Sequence, residues 1–251
     1  MSEFSKIEWT QSTWNPVTGC TKVSLGCENC YAERLALRLQ STGSPNYKNG
    51  FKVTLHPHML NLPTKWKKSR MVFVNSMSDL FHEDIPIDFI QKVFEIMNNC
   101  PQHIFQILTK RAERLADLNH LLSWTNNIWM GVTIEHENYL YRKDYLKKTN
   151  ANIKFISFEP LLSSMPNIEL ENIDWIIVGG ESGPGARPLN PDWVIKIKNQ
   201  CLSKKLPFFF KQWGGYNKKK NGRLLEGKEW NQVPYYDYSF YNDNQYELEI
   251  V

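Results

Sequence analysis

From residue 71 onward, short apolar runs alternate with longer amphipathic stretches, and this alternation restricts the possible folds more than any other feature. The runs are MVFV at 71–74, IFQIL at 104–108, IWMGV at 128–132, IKFI at 153–156, WIIV at 175–178 and FFF at 208–210. Nearly continuous β-branched and aromatic residues suit strands buried on both faces, as in a parallel sheet. Between them, 87–97, 112–122, 137–146 and 191–202 have the length of helices, and Asn190-Pro191 supplies a helix-start signal. Strand followed by helix, repeated, implies βα units. At 251 residues the chain fits an α/β protein built as a partial or complete parallel β/α barrel. We expect the barrel over residues 1–213 and a C-terminal extension packing on it over 214–251.

Composition removes several classes. Apolar residues make up 41% and charged residues 22%, which argues against a disordered or collagen-like chain. The formal net charge of +4 is too mild to demand a nucleic-acid partner. No apolar run is long enough to cross a bilayer, and MSEFSKIEWT lacks the regions of a signal peptide, so a cytoplasmic protein without membrane contact is expected. Residues 41–69, rich in Gly and Pro, read as a long connection lying over the site. In the extension, Lys218, Lys219 and Lys220 read as a solvated turn, ahead of a Tyr-rich end.

Several runs end in polar clusters, and ligands of parallel α/β folds bind beyond the carboxyl ends of the strands. The clusters hold Ser76, Ser78 and Asp79; Lys110 and Arg111; Thr133 and Glu135; Glu159; Gly179, Gly180 and Glu181; and Lys211, Gln212 and Trp213. On a closed or half-closed sheet they converge on one mouth. Ser182 has no adjacent histidine of the kind a serine hydrolase needs.

The densest chemistry lies earlier. Cys20, Cys27 and Cys30 have the spacing C-x6-C-x2-C, with Gly19 and Gly26 before the first two and an amphipathic stretch after the third. Glycines let backbone wrap an inorganic core, and a following helix start favours thiolate charge. Three soft ligands on a four-iron cluster leave one iron open to a further ligand. The same cysteines with one of His56, His58 and His82 would also make a zinc site, which would turn the chain into a zinc-stabilised nucleic-acid-binding module without enzymatic activity. Cys100 and Cys201 read as packed thiols.

The stretch WNPVTGCTKVSLGCENCYAERLA, together with the later GGESGPGARP, resembles a phage and bacterial three-Cys-motif family within the radical S-adenosylmethionine (SAM) superfamily. The first gap has six residues, where the superfamily's commonest spacing is C-x3-C-x2-C. The resemblance implies a barrel of the radical SAM type and a 4Fe-4S cluster on Cys20, Cys27 and Cys30. It further implies SAM on the fourth iron, and a 5'-deoxyadenosyl radical that takes hydrogen from substrate. By position, Ser76, Ser78 and Asp79 then meet SAM's amino group, Thr133 and Glu135 its polar groups, and Gly179, Gly180 and Glu181 its ribose or adenine. Lys110, Arg111, Glu159, Arg187, Lys211 and Trp213 are left to read the substrate. A small molecule or nucleobase-containing substrate, free or in nucleic acid, and an electron donor protein such as flavodoxin or ferredoxin are the expected partners.

Overall fold

The computed structural model describes residues 5–235 and 249–250 of the chain. Its strands are β1 (Ser12–Trp14), β2 (Val17–Thr18), β3 (Thr54–Leu55), β4 (Met71–Val74), β5 (Ile104–Thr109), β6 (Ile128–Thr133), β7 (Ile153–Phe158), β8 (Trp175–Gly179), β9 (Phe208–Gln212), β10 (Gln232–Val233) and β11 (Glu249–Ile250). The helices are α1 (Tyr31–Ser41), α2 (Ile87–Asn98), α3 (Ala112–Leu118), α4 (Arg142–Lys147), α5 (Pro191–Ser203) and the short α6 (Lys218–Asn221). Seven strands form one sheet in the order β1-β4-β5-β6-β7-β8-β9, every neighbouring pair parallel. All six apolar runs are strands of this sheet.

The sheet curls into a half-barrel, the partial form of the expected architecture. Trp9, just before β1, lies with its ring centroid 6.3 Å from that of Trp175 in β8. Glu8 pairs with Lys218, beyond β9, at 3.0 Å. Side chains alternate across the strands. Phe73, Trp129, Phe155, Trp175 and Phe209 therefore fill the inside of the curl with Trp9. Val72, Val74, Phe105, Ile107, Ile156 and Phe210 face outward onto buried residues of the helices, among them Phe94, Leu115 and Ile197. Two cores, one per face, explain why the runs are nearly continuous in apolar residues. At Gly131 a Cβ would stand 2.5 Å from the Phe155 ring, so glycine there lets an aromatic fill the interior.

Two expected helices are shorter than their patterns. The 112–122 segment ends α3 at Leu118 and continues as a 3-10 turn, Asn119–Leu121. The 137–146 segment divides into a 3-10 turn, Glu137–Tyr139, and α4. The division coincides with two side-chain bonds: His136 Nδ1 accepts the Asn138 N–H, and Arg142 donates back to the Thr133 carbonyl at 2.8 Å. The 41–69 connection runs through three 3-10 turns and β3, which pairs antiparallel with β2. In the extension, Asn231 bridges Phe209, while the Tyr-rich end falls mostly at 236–248, outside the described residues. Cys100 and Cys201 are buried in the outer core, where burial pushes the Cys201 thiol up to about 12. No helix among the described residues is long and apolar enough to cross a membrane.

Candidate three-cysteine site

Beyond the carboxyl ends of the strands lies a cavity of about 420 Å³, in the size range of small-molecule sites. Cys20, Cys27 and Cys30 all line it. The polar strand ends converge on the same space: Ser76, Ser78 and Asp79 after β4, Lys110 and Arg111 after β5, and Thr133 closing β6. Ser157 and Glu159 at β7, Gly180 and Glu181 after β8, and Lys211 and Gln212 of β9 complete the rim. Trp9, Phe51, Phe73 and Leu108 supply apolar wall.

The cysteine loop is fastened at each cysteine by a different element. Before Cys20, Gly19 has φ +84 and donates its N–H to the Met77 carbonyl at 3.0 Å. A Cβ at Gly19 would lie 2.2 Å from the Lys52 carbonyl oxygen, so only glycine brings the chain this close to the 41–69 connection. Before Cys27, the Gly26 N–H reaches the Glu135 carboxylate at 3.3 Å. Cys30 sits at the N-terminus of α1, whose start fixes its backbone.

The second motif segment clamps the first. Asn29 Nδ2 donates to Glu181 at 3.0 Å and to the Gly185 carbonyl at 2.9 Å. Arg34 donates to the Ser182 and Pro184 carbonyls at 2.7 and 2.8 Å. Arg187 forks onto Glu181, pairs with Glu28 at 2.9 Å and donates to the Leu25 carbonyl at 3.0 Å. Gly183, with φ +98, leaves room for Arg34, whose Nη2 would stand 2.6 Å from an added Cβ.

Many of the rim's charges are spent on one another. Asp79 accepts from the Phe81 N–H, Thr109 Oγ1, the Lys110 N–H and Arg111, so both its oxygens are engaged within the protein. Ser76 donates its hydroxyl to Asn15 Oδ1 and Ser78 to the Val17 carbonyl. Glu181 is held by Asn29 and Arg187; burial raises its pKa, but those bonds outweigh it and keep the carboxyl below its usual range. Lys211 pairs with Glu159 at 2.9 Å. Burial lowers the Lys211 pKa, and the facing Glu159 and Glu8 reverse that, so the ammonium ends above its usual range.

Four expected site residues stand behind the wall rather than in it. Glu135 is fully buried and pairs with Arg142 at 2.8 Å, anchoring the cysteine loop from below. Gly179 lies under Glu159, whose Oε1 would be 2.6 Å from an added Cβ. Arg187 serves the clamp just described. Trp213 packs on the outer core, against Phe210, and donates its Nε1–H to the Leu224 carbonyl. The cause of its outward position is a register shift between β8 and β9, pairing Val178 with Phe210 but Gly179 with Gln212. That bulge sends consecutive residues, Lys211 and Gln212, toward the cavity and turns Trp213 away.

Asn15, Asn29, Tyr31 and Arg34 also belong to the site, although no motif assigns them a role. Tyr31 donates its hydroxyl to the Ser76 carbonyl at 2.5 Å and lines the cavity. Their proximity to the cysteines in sequence was the available signal.

Burial and the nearby Asp79 carboxylate push the Cys20 thiol up to about 11, against the pull of the Arg111 guanidinium. Ser24 Oγ lies 3.6 Å from Cys27 Sγ. The three histidines of the zinc alternative are engaged elsewhere: His56 with Thr18, His58 with Asn46, and His82 with Thr21 and the Asp84 N–H. Among the described residues, no three of His, Cys, Asp and Glu gather around a point one metal ion could occupy. Zinc needs its ligands within about 2.3 Å of one ion, whereas a four-iron cluster gives each thiolate its own iron. Three cysteines lining one cavity are soft donors of the kind a four-iron cluster takes.

Fold and site together define a parallel α/β half-barrel whose strand ends face a three-cysteine loop across one cavity. By sequence, the chain belongs to the family described as "Protein of unknown function (DUF5131)", whose model matches residues 4–234. None of the curated proteins matches it significantly. A solved structure, "Spore photoproduct lyase complexed with dinucleoside spore photoproduct", is similar over 65% of this chain and 54% of that one, with a TM-score of 0.43 and 13% identity. This chain thus spans about half the length of that protein.

Proposed function

We propose that this protein is a radical SAM-type iron-sulfur enzyme in which Cys20, Cys27 and Cys30 hold a 4Fe-4S cluster and SAM occupies the adjoining cavity. One observation carries the reading: all three cysteines line a single cavity of about 420 Å³ at the carboxyl ends of a parallel half-barrel. Held by Cys20, Cys27 and Cys30, a reduced cluster would supply the electron for reductive cleavage of SAM, and the cofactor would thereby supply the hydrogen-abstracting chemistry. The substrate belongs to nucleobase-containing molecules, free or in nucleic acid, and a flavodoxin or ferredoxin serves as electron donor.

The chain's own residues position and shield. Asn29, Arg34 and Arg187 lock the cysteine loop to the segment after β8, fixing where the sulfurs point. Trp9, Phe73 and Leu108 keep water from the inner end of the cavity, which protects a reactive intermediate. Thr133 and the Glu159–Lys211 pair offer fixed polar groups to whatever lies between the cysteines and β7.

The test is anaerobic reconstitution with iron and sulfide, dithionite reduction with SAM, and assay of 5'-deoxyadenosine, with Cys27→Ala as control. Product from the intact protein alone is the expected result. Stoichiometric zinc, colourless protein and untouched SAM would overturn the proposal in favour of a structural zinc module.

A further inference from the structure

We infer that Arg111 is a positioning residue for the cluster: its guanidinium donates to the sulfur of Cys20 and raises the potential at which the cluster accepts an electron. This rests on the reading of Cys20 as a cluster ligand.

Arg111 follows β5 at the start of α3 and is 5% exposed. Each of its nitrogens is assigned. Nε donates to both Glu83 oxygens at 3.0 Å, and Nη2 to the Thr21 hydroxyl and carbonyl at 2.9 and 3.3 Å. Nη1 is shared between Asp79 at 3.2 Å and Cys20 Sγ at 3.5 Å. Its partners are themselves held: Asp79 by Thr109 and two backbone N–H groups, Thr21 by His82. The fork therefore cannot swing away from the sulfur, and a lysine could not reproduce its planar set of donors.

The arrangement is specific to one cysteine. Among the described residues, no guanidinium or ammonium bonds the sulfur of Cys27 or Cys30; Cys27 faces the Ser24 hydroxyl. Reduction adds negative charge to the cluster and its thiolates, and an N–H aimed at one sulfur stabilises the reduced form more than the oxidised. Asp79 and Glu83 offset the cation's long-range field. The directed bond is what remains to set the potential.

The experiment is a redox titration of the reconstituted protein, followed by EPR, comparing wild type with Arg111→Met and Arg111→Lys. At a fixed poise, Arg111→Met should show a roughly tenfold lower ratio of reduced to oxidised cluster, equivalent to about 59 mV for one electron. Arg111→Lys should recover part of that shift. Because Arg111→Met leaves Asp79 buried without its cation, a second measurement uses the unaltered sequence: pulsed EPR of the reduced cluster in protein labelled with ¹⁵N-arginine. A resolved ¹⁵N coupling supports the assignment; no coupling, or equal potentials in wild type and Arg111→Met, overturns it. Failure of the wild type to assemble any cluster is a different result, which removes the parent reading and this inference together.

Discussion

Asn29 and Glu181 lie 152 residues apart in sequence and meet at 3.0 Å, joining the cysteine loop to the glycine-rich segment after β8. The two most distinctive stretches of the chain are thus one structural unit. Glu181 is the hub, since its buried carboxylate also takes three bonds from Arg187.

Replacing Glu181 tests the hub. Glu181→Ala leaves Asn29 and Arg187 without their acceptor, and breaking such a pair costs on the order of 3 kcal/mol, less to the extent that Arg187 is solvated. Thermal unfolding should fall by several degrees, and iron bound per chain after reconstitution should drop with it. Unchanged iron content would mean that the clamp does not position the cysteines.

Gly26 and Arg142 separate local from global roles of Glu135. A Cβ at Gly26 would lie 2.9 Å from Glu135 Cγ, so Gly26→Ala should displace the loop and reduce iron binding with little change in unfolding temperature. Arg142→Met removes the cation from a fully buried carboxylate and should cost about 3–5 kcal/mol of global stability. Chemical denaturation of both variants distinguishes the two effects; equal loss of stability would contradict this division.

Acid sensitivity should come from buried imidazoles. His103 is fully buried between the rings of Trp66 and Phe105, and its Nδ1 has no hydrogen-bond partner among the described residues. Burial holds its pKa below the usual 6.5, opposed by the Pro63 carbonyl and helped by the Arg70 charge. The unfolded chain takes up the proton first as pH falls. The stabilisation is therefore complete above pH 6.5 and is lost progressively below it. His56 and His82 shift in the same direction. Unfolding temperature measured from pH 8 to 5 should decline more steeply in wild type than in His103→Gln; parallel curves would rule His103 out as a contributor.

Much of the fold was legible because each sheet strand is buried on two faces. Runs such as Trp175–Val178 have no solvent side to interrupt them with polar residues, and a glycine or polar cluster marks where the strand ends. Side-chain parity carries that legibility into the site: Phe73, Leu108, Thr133, Ser157 and Lys211 all share the inner face. Parity fails where regular backbone stops. Glu135 has the parity of Thr133 but lies past the end of β6 and drops behind the wall, and the β9 bulge reverses Trp213. Nor can a linear sequence tell spent charges from available ones. Asp79 and Arg111 look like ligand-binding groups when read singly, and only their 3.2 Å contact shows that each answers the other.

What the three cysteines hold is read out by iron and sulfide analysis with EPR of the reduced protein, before and after adding SAM. The three-cysteine reading predicts about four irons and four sulfides per chain, and a reduced-cluster signal that changes when SAM reaches the open iron. Tightly bound zinc without sulfide, or a cluster signal indifferent to SAM, would contradict it.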